Sequence, residues 1–121
     1  MKTILLIEDE KILGGMYVDK FKGVGYETQW VFSTEEALEY LKTNKPDLIL
    51  LDILLPRKNG IGFLEEFKNT PEFASIPVVG FSNFDDPETK EKAFALGVKD
   101  YLIKTNFTPQ EVLEKIKKYL E

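Results

Sequence analysis

The chain has 121 residues, of which 43% are hydrophobic and 31% are charged, and these values predict one soluble globular domain. It contains no histidine and no cysteine, which excludes serine–histidine triads, histidine zinc sites and disulfides and favours a cytoplasmic location. The net charge of −5 argues against general affinity for nucleic acid, and no apolar run approaches the roughly 20 residues of a membrane span.

Five short apolar runs divide the chain. They are Ile4 to Ile7, Thr28 to Phe32, Leu48 to Leu51, Pro77 to Phe81, and Tyr101 to Ile103. Three of these runs are apolar at nearly every position, which is typical of strands covered by helices on both faces and predicts a parallel sheet. The first run turns acidic at Glu8, too soon for a signal peptide.

The stretches between the runs have the apolar spacing of helices. One helical face consists of Leu13, Met16, Tyr17, Lys20, Phe21 and Val24, and another of Val112, Leu113, Ile116, Tyr119 and Leu120. Two pairs fit the capping box at a helix start, namely Ser33 with Glu36 and Thr108 with Glu111.

Strand and helix therefore alternate five times along the chain. This order predicts an α/β domain, in which helices flank a parallel sheet on both faces. The chain shows no internal repeat, low-complexity segment or linker, so we expect one domain over residues 1–121 and no attached output domain.

Polar side chains follow four of the five predicted strands. Glu8 and Asp9 follow the first strand, Asp52 the third, Ser82 the fourth and Lys104 the fifth. Because open parallel sheets bind ligands outside the carboxyl ends of their strands, we expect these side chains to meet at one edge. Asp52 would then stand at the mouth of that edge and not inside the core.

Three carboxylates at one edge would repel one another, at a cost of about 4 kcal/mol for two charges about 4 Å apart at an effective dielectric near 20. Either one carboxylate keeps its proton or a cation joins them, and Mg²⁺ suits such a site. A metal beside a carboxylate and a lysine is also what phosphoryl transfer needs, and aspartate can act as a covalent nucleophile for phosphate. Taken singly, each acid is more simply interpreted as a helix cap or turn residue.

Four segments of the chain carry a resemblance to a known family. They are LLIEDE, PDLILLDILLPRKNG, VVGFSN and AFALGVKDYLIK, with Pro56 four and Gly60 eight residues after Asp52. In this order and spacing, over essentially the whole length, the chain resembles the receiver domain of two-component response regulators. We therefore expect a doubly wound (βα)₅ domain of three α/β/α layers, flavodoxin-like, with strand order 2-1-3-4-5.

The resemblance implies that this edge is a phosphorylation site. Asp52 would be the phosphoacceptor, Asp9 would bind Mg²⁺ directly, and Glu8 would act mainly through water. The backbone carbonyl of Leu54 would be a further ligand, and Lys104 would pair with the phosphoryl group. The donor would be a phosphohistidine on a histidine kinase or a histidine phosphotransfer protein.

The resemblance also implies how the signal leaves the domain. Ser82 would move to hydrogen-bond the phosphoryl group, and Tyr101 would turn inward when Ser82 moves. The face formed by the fourth helix, the fifth strand and the fifth helix would then change for a downstream protein. The chain would be a stand-alone signalling domain that catalyses only its own phosphorylation and dephosphorylation, not an ordinary enzyme.

Several positions depart from the pattern of the family. Thr105 follows Lys104 where most members have a proline, usually after a cis peptide bond, so this bond is either trans or strained. Asn83 replaces the small residue that is common after the switch hydroxyl. Leu54 and Phe84 are apolar, and in the family their positions influence the hydrolysis of the phosphoryl group. From these two residues we predict a long-lived phosphoryl state.

Two alternatives remain open. One is a phosphorylation-independent, receiver-like scaffold for protein contacts, which the departures at Asn83 and Thr105 permit. The other is a phosphatase with an aspartyl-phosphate intermediate. Such enzymes usually have a second aspartate two residues after the nucleophile, where this chain has Leu54.

Overall fold

Strands and helices alternate five times in the computed structural model, which describes residues 1–53, 59–83 and 85–121. The strands are β1 (Thr3–Ile7), β2 (Glu27–Val31), β3 (Leu48–Asp52), β4 (Val78–Ser82) and β5 (Asp100–Ile103). The helices are α1 (Lys11–Gly23), α2 (Thr34–Leu41), α3 (Gly60–Lys68), α4 (Pro87–Ala95) and α5 (Pro109–Leu120). None of the described helices is long and apolar enough to cross a membrane.

The five strands form one parallel sheet in the order β2-β1-β3-β4-β5. The predicted fold class and strand order are therefore confirmed. The direction of winding reverses between β1 and β3, whose residues Ile4 to Ile7 and Leu48 to Leu51 pair in register. Because ligands bind where the strand order reverses, the carboxyl ends of β1 and β3 are the expected place for a site.

Two apolar cores lie on opposite faces of the sheet. Helices α1 and α5 cover one face, and their buried residues are Tyr17, Phe21, Val112, Leu113, Ile116 and Leu120. Helices α2, α3 and α4 cover the other face, with buried residues Ala37, Leu41, Phe63, Leu64, Phe67 and Ala93. Every residue of β3 and β4 is buried, which explains why these strands are apolar almost without interruption.

The buried face of α1 is narrower than its spacing predicts. Tyr17 and Phe21 are fully buried, whereas Met16 is 48% exposed and Val24 is 46% exposed. The helix ends at Gly23, so Val24 lies beyond it and does not share its buried face. The chain turns at Gly25, whose φ of 91° lies in the region that favours glycine.

Side-chain caps define the starts of α2 and α5. Thr108 and Glu111 form the predicted capping box at α5. At α2, the Ser33 hydroxyl accepts from the Glu36 N–H, but the Glu36 carboxylate accepts from the N–H of Phe32 instead of that of Ser33. The predicted pair at α2 therefore caps the helix with a variant of the box.

Candidate functional site

A buried lysine joins the carboxyl ends of β1, β3 and β5. Lys104 directly follows β5, and its Nζ lies 2.8 Å from Oε2 of Glu8 and 3.1 Å from Oδ2 of Asp52. All three residues are buried, and Asp52 is only 4% exposed. Asp52 thus stands at the predicted edge of the sheet but is much less open to solvent than a residue at a mouth.

Asp9 completes a group of three carboxylates. One oxygen each from Glu8, Asp9 and Asp52 lies within 4.8 Å of the other two. Asp9 is exposed, and its carboxylate makes no hydrogen bond or ion pair with another described residue. We call Glu8, Asp9, Asp52 and Lys104 the acidic corner.

The charges of the acidic corner are only partly balanced. Burial raises the pKa of Glu8 to about 7, the charge of Asp52 adds to this rise, and the hydrogen bond from Lys104 opposes it. Burial acts to lower the pKa of Lys104, but its hydrogen bond to Glu8 and the charge of Asp52 outweigh burial and raise this pKa. The ammonium therefore stays charged, and a further cation would relieve the remaining repulsion.

Two neighbours of Lys104 were not foreseen from the sequence. Oε2 of the half-exposed Glu10 lies 3.4 Å from its Nζ, and the centroid of the Phe81 ring lies 4.7 Å away. Glu10 could have been found from the sequence, because it continues the acidic run of Glu8 and Asp9 after β1. Phe81 could not, because in the sequence it looks like any other core residue of β4. The phenyl ring adds a cation–π contact to the ion pairs that hold the ammonium.

Two buried hydroxyl groups lie beside the acidic corner, and we call Ser82 and Tyr101 the hydroxyl corner. Ser82 ends β4 and is fully buried, and Tyr101 in β5 is 5% exposed. Burial raises the pKa of Tyr101, and the neighbouring Ser82 side chain offsets part of this rise. Even so, the Tyr101 hydroxyl forms no hydrogen bond of good geometry with any described residue.

A close backbone contact supports the strand end that carries Asp52. The Gly60 N–H donates to the carbonyl oxygen of Ile53 at 2.8 Å. A Cβ at Gly60 would lie 2.7 Å from the Cα of Ile53, so only glycine lets α3 begin here without displacing the residue after Asp52. This contact gives a physical reason for the glycine eight residues after the aspartate.

The positions that depart from the family pattern are only partly described. The peptide bond between Lys104 and Thr105 is trans, as are all described peptide bonds. Asn83 and Thr105 line a recess of about 610 Å³ that reaches Lys104. The expected carbonyl ligand of Leu54 lies outside the described residues, as does Phe84, and the long-lived phosphoryl state inferred from both stays a prediction.

Comparisons with known sequences agree on one family. A family model of the response regulator receiver domain matches residues 4–117. The phosphate regulon transcriptional regulatory protein PhoB of Pseudomonas aeruginosa is 31% identical over 119 residues, which are 98% of this chain and 52% of PhoB. The polar-differentiation response regulator DivK of Brucella ovis is 32% identical over 119 residues, which are 98% of this chain and 96% of DivK. The chain therefore spans about half the length of PhoB and nearly all of DivK.

Solved structures give the same result. A putative response regulator from Chloroflexus aurantiacus is 31% identical with a TM-score of 0.89, covering 98% of this chain and 97% of its own. The Mn²⁺-bound form of response regulator Rcp1 is 28% identical with a TM-score of 0.86, covering 100% of this chain and 96% of its own. The chain belongs to the response regulator receiver domains of two-component systems, which are signalling domains, and the predicted family is confirmed.

Proposed function

We propose that the chain receives a phosphoryl group on the carboxylate of Asp52 in the presence of Mg²⁺ and signals by changing a protein-binding face. One observation carries this proposal. The Asp52 carboxylate lies 3.1 Å from a buried ammonium and within 4.8 Å of oxygens of Glu8 and Asp9. A carboxylate that could act as a nucleophile, a buried positive charge and oxygen atoms suited to a metal ion therefore lie together at the carboxyl edge of the sheet.

The acidic corner has the donor set that Mg²⁺ prefers. All three carboxylates offer hard oxygen ligands, and the exposed Asp9 leaves room for the several waters that Mg²⁺ keeps. Asp9 and Asp52 would bind the ion directly, Glu8 through water, and the backbone carbonyl of Leu54 would be a fourth contact. When bound, the ion would neutralise charge on the phosphoryl oxygens.

In the proposed reaction the chain supplies the nucleophile and a positive charge beside it. An oxygen of Asp52 attacks phosphorus in line with the leaving imidazole of a phosphohistidine. The P–O bond forms as the P–N bond breaks, and the imidazole keeps the electron pair of that bond and takes a proton from water. The ammonium of Lys104 contacts both Asp52 and Glu8. After transfer it would donate one hydrogen bond to a phosphoryl oxygen, while its contact with Glu8 keeps the ammonium in place.

The hydroxyl corner would report the change to partners. Ser82 would hydrogen-bond the phosphoryl group, and Tyr101 would turn inward as Ser82 moves. The face formed by α4, β5 and α5 would then favour a downstream protein. The donor would be a histidine kinase or a histidine phosphotransfer protein in the cytoplasm, and the domain would change no substrate other than itself.

Intact-protein mass spectrometry after incubation with acetyl phosphate tests the proposal. We expect one added phosphoryl group in the parent chain with Mg²⁺, none without Mg²⁺, and none in Asp52→Asn. Asp19→Asn, an exposed aspartate on α1, is a matched control and should behave as the parent does.

If the parent does not gain a phosphoryl group, the same experiment is repeated with beryllofluoride, which mimics the bound phosphoryl group and needs no phosphoryl donor. A folded chain that binds Mg²⁺ but neither the phosphoryl group nor beryllofluoride would overturn the proposal. The phosphorylation-independent scaffold would then be the better interpretation. Turnover of a generic phosphate ester would instead support the phosphatase.

A further inference from the structure

The only tryptophan of the chain is hydrogen-bonded to the backbone of the acidic corner. The Nε1–H of Trp30, in β2, donates to the carbonyl oxygen of Glu8 at 2.9 Å. The Glu8 N–H donates to the carbonyl of Val31 at 3.0 Å and so continues the sheet by one bond. The carbonyl group of Glu8 itself lies past the end of β1. The indole N–H of Trp30 takes the place that a backbone N–H of a neighbouring strand would otherwise fill.

Helix α1 is shaped to admit this indole. A Cβ at Gly14 would overlap Cζ2 and Cε2 of Trp30 and would lie 2.9 Å from its Nε1. Gly14 is buried within α1, where glycine costs about 1 kcal/mol relative to alanine, so its presence needs a reason. The Phe32 ring packs against the indole, with centroids 4.8 Å apart. The indole of Trp30 therefore lies against Gly14 of α1 and in contact with the Phe32 ring.

We infer that Trp30 is a positioning residue of the acidic corner. The carbonyl that it binds belongs to the peptide between Glu8 and Asp9, and a peptide unit is planar from one Cα to the next. Because the Glu8 N–H is also bonded to Val31, holding this oxygen restrains the peptide plane and with it the Cα of Asp9. The inference deepens the proposed function and rests on it, because it concerns how the Mg²⁺ ligands are aimed.

The inference assigns Trp30 an effect on metal affinity without contact to the metal. Glu8 is already held by Lys104 through its side chain, whereas Asp9 has no described partner for its carboxylate. The direction of Asp9 then depends on its backbone, which the indole restrains. Loss of the indole N–H should let the turn after β1 rotate and spread the ligands.

Replacement of the indole N–H by sulfur is the sharpest test. Benzothienylalanine has nearly the shape of tryptophan but no N–H donor, and a tryptophan auxotroph would insert it at position 30 alone because the chain has one tryptophan. We expect the Asp9 amide ¹⁵N shift to change in the metal-free protein. We also expect the Mg²⁺ dissociation constant from calorimetry to rise about three- to tenfold, as for the loss of one hydrogen bond.

Three substitutions complete the test. Trp30→Phe removes the same donor and serves if the analogue does not yield folded protein. Gly14→Ala should displace the indole and weaken Mg²⁺ binding to a similar extent. Phe32→Leu alters packing against the indole but leaves its donor, so its Mg²⁺ affinity should stay within about twofold of the parent.

Each outcome decides one question. An unchanged Asp9 shift together with unchanged Mg²⁺ affinity in the analogue would overturn the positioning role, as would an equal loss of affinity in Phe32→Leu. A parent chain that does not bind Mg²⁺ would overturn the proposed function instead. In that case the Asp9 shift, which is measured without metal, still decides whether Trp30 positions the turn.

Discussion

The acidic corner and the hydroxyl corner lie at the same edge of the sheet but are held in opposite ways. In the acidic corner, Lys104 is tied by contacts of 2.8 Å to Glu8 and 3.1 Å to Asp52. In the hydroxyl corner, Tyr101 is just as buried, yet its hydroxyl has no good hydrogen bond to a described residue. The difference indicates a tightly held group of charges beside a hydroxyl that can rearrange at small cost.

Energies of burial explain why the two corners differ. Removing one partner of a buried ion pair typically costs about 3–5 kcal/mol, because the remaining charge is left in a medium of low dielectric. A buried hydroxyl without a partner costs about 1–3 kcal/mol, and this cost disappears when the group moves to a partner or to water. The ion pairs of Lys104 with Glu8 and Asp52 therefore resist separation, whereas the Tyr101 hydroxyl gains from motion.

Lys104→Met should have the largest effect, because it removes the ammonium that both Glu8 and Asp52 contact. We expect the free energy of unfolding to fall by about 3 kcal/mol and phosphoryl uptake to be lost. Urea denaturation without Mg²⁺ and mass spectrometry after acetyl phosphate measure the two effects.

Lys92→Met is the matched control for this substitution. Lys92 lies 3.6 Å from Glu88 on α4, and its side chain is 61% exposed. Loss of this surface pair should change stability by less than about 1 kcal/mol. If both variants lost the same stability, the acidic corner would contribute no more than an exposed ion pair, and the contrast between the two corners would be wrong.

The sequence predicted which residues meet at the edge but not how they pair. Polar residues that directly follow apolar strands identify the residues that meet, since the carboxyl ends of parallel strands lie at the same edge of the sheet. The nearest carboxylate to Lys104 is nevertheless that of Glu8 and not that of the proposed acceptor Asp52. Pairing depends on the conformations of long side chains, which strand position does not determine.

Long-range contacts were equally hidden in the sequence. The bond from Trp30 to Glu8 joins residues 22 positions apart, and no local pattern marks it. The one sign of this bond in the sequence is Gly14 inside α1. The reason for this glycine becomes clear only when the structure places the indole against it. The sequence also did not predict that Met16 is exposed. Helical spacing shows which residues share a side of the helix but not how much of that side is buried.

Asp9→Asn should act on metal binding and leave the fold unchanged. Asp9 is exposed and contributes no described ion pair, so the unfolding midpoint without Mg²⁺ should stay near that of the parent. The Mg²⁺ affinity should fall by at least about tenfold, since even residues that only support ligands have effects of that size. Calorimetry with Asp19→Asn as control measures this, and an unchanged affinity would remove Asp9 from the ligand set.

Ser82→Ala tests the proposed donor of the hydroxyl corner. We expect Mg²⁺ affinity within about twofold of the parent, because a hydroxyl contributes little to this carboxylate site. Phosphoryl uptake should slow by at least about tenfold, because a donor to the phosphoryl oxygens is lost. Ser82→Thr keeps the hydroxyl and should retain most of the rate. Equal rates in Ser82→Ala and the parent would contradict the role of Ser82.

Tyr101→Phe should have the smallest effect, and its sign is informative. Removal of a buried hydroxyl without a good partner should leave the free energy of unfolding unchanged or raise it by up to about 1 kcal/mol. Tyr119→Phe is the matched control, because the Tyr119 hydroxyl donates to the carbonyl of Lys99 at 3.2 Å and its loss should cost about 0.5 kcal/mol. Urea denaturation of both variants gives the comparison. If Tyr101→Phe were the more destabilising, the Tyr101 hydroxyl would be held as firmly as the acidic corner, and the part of the site that moves would have to be sought elsewhere.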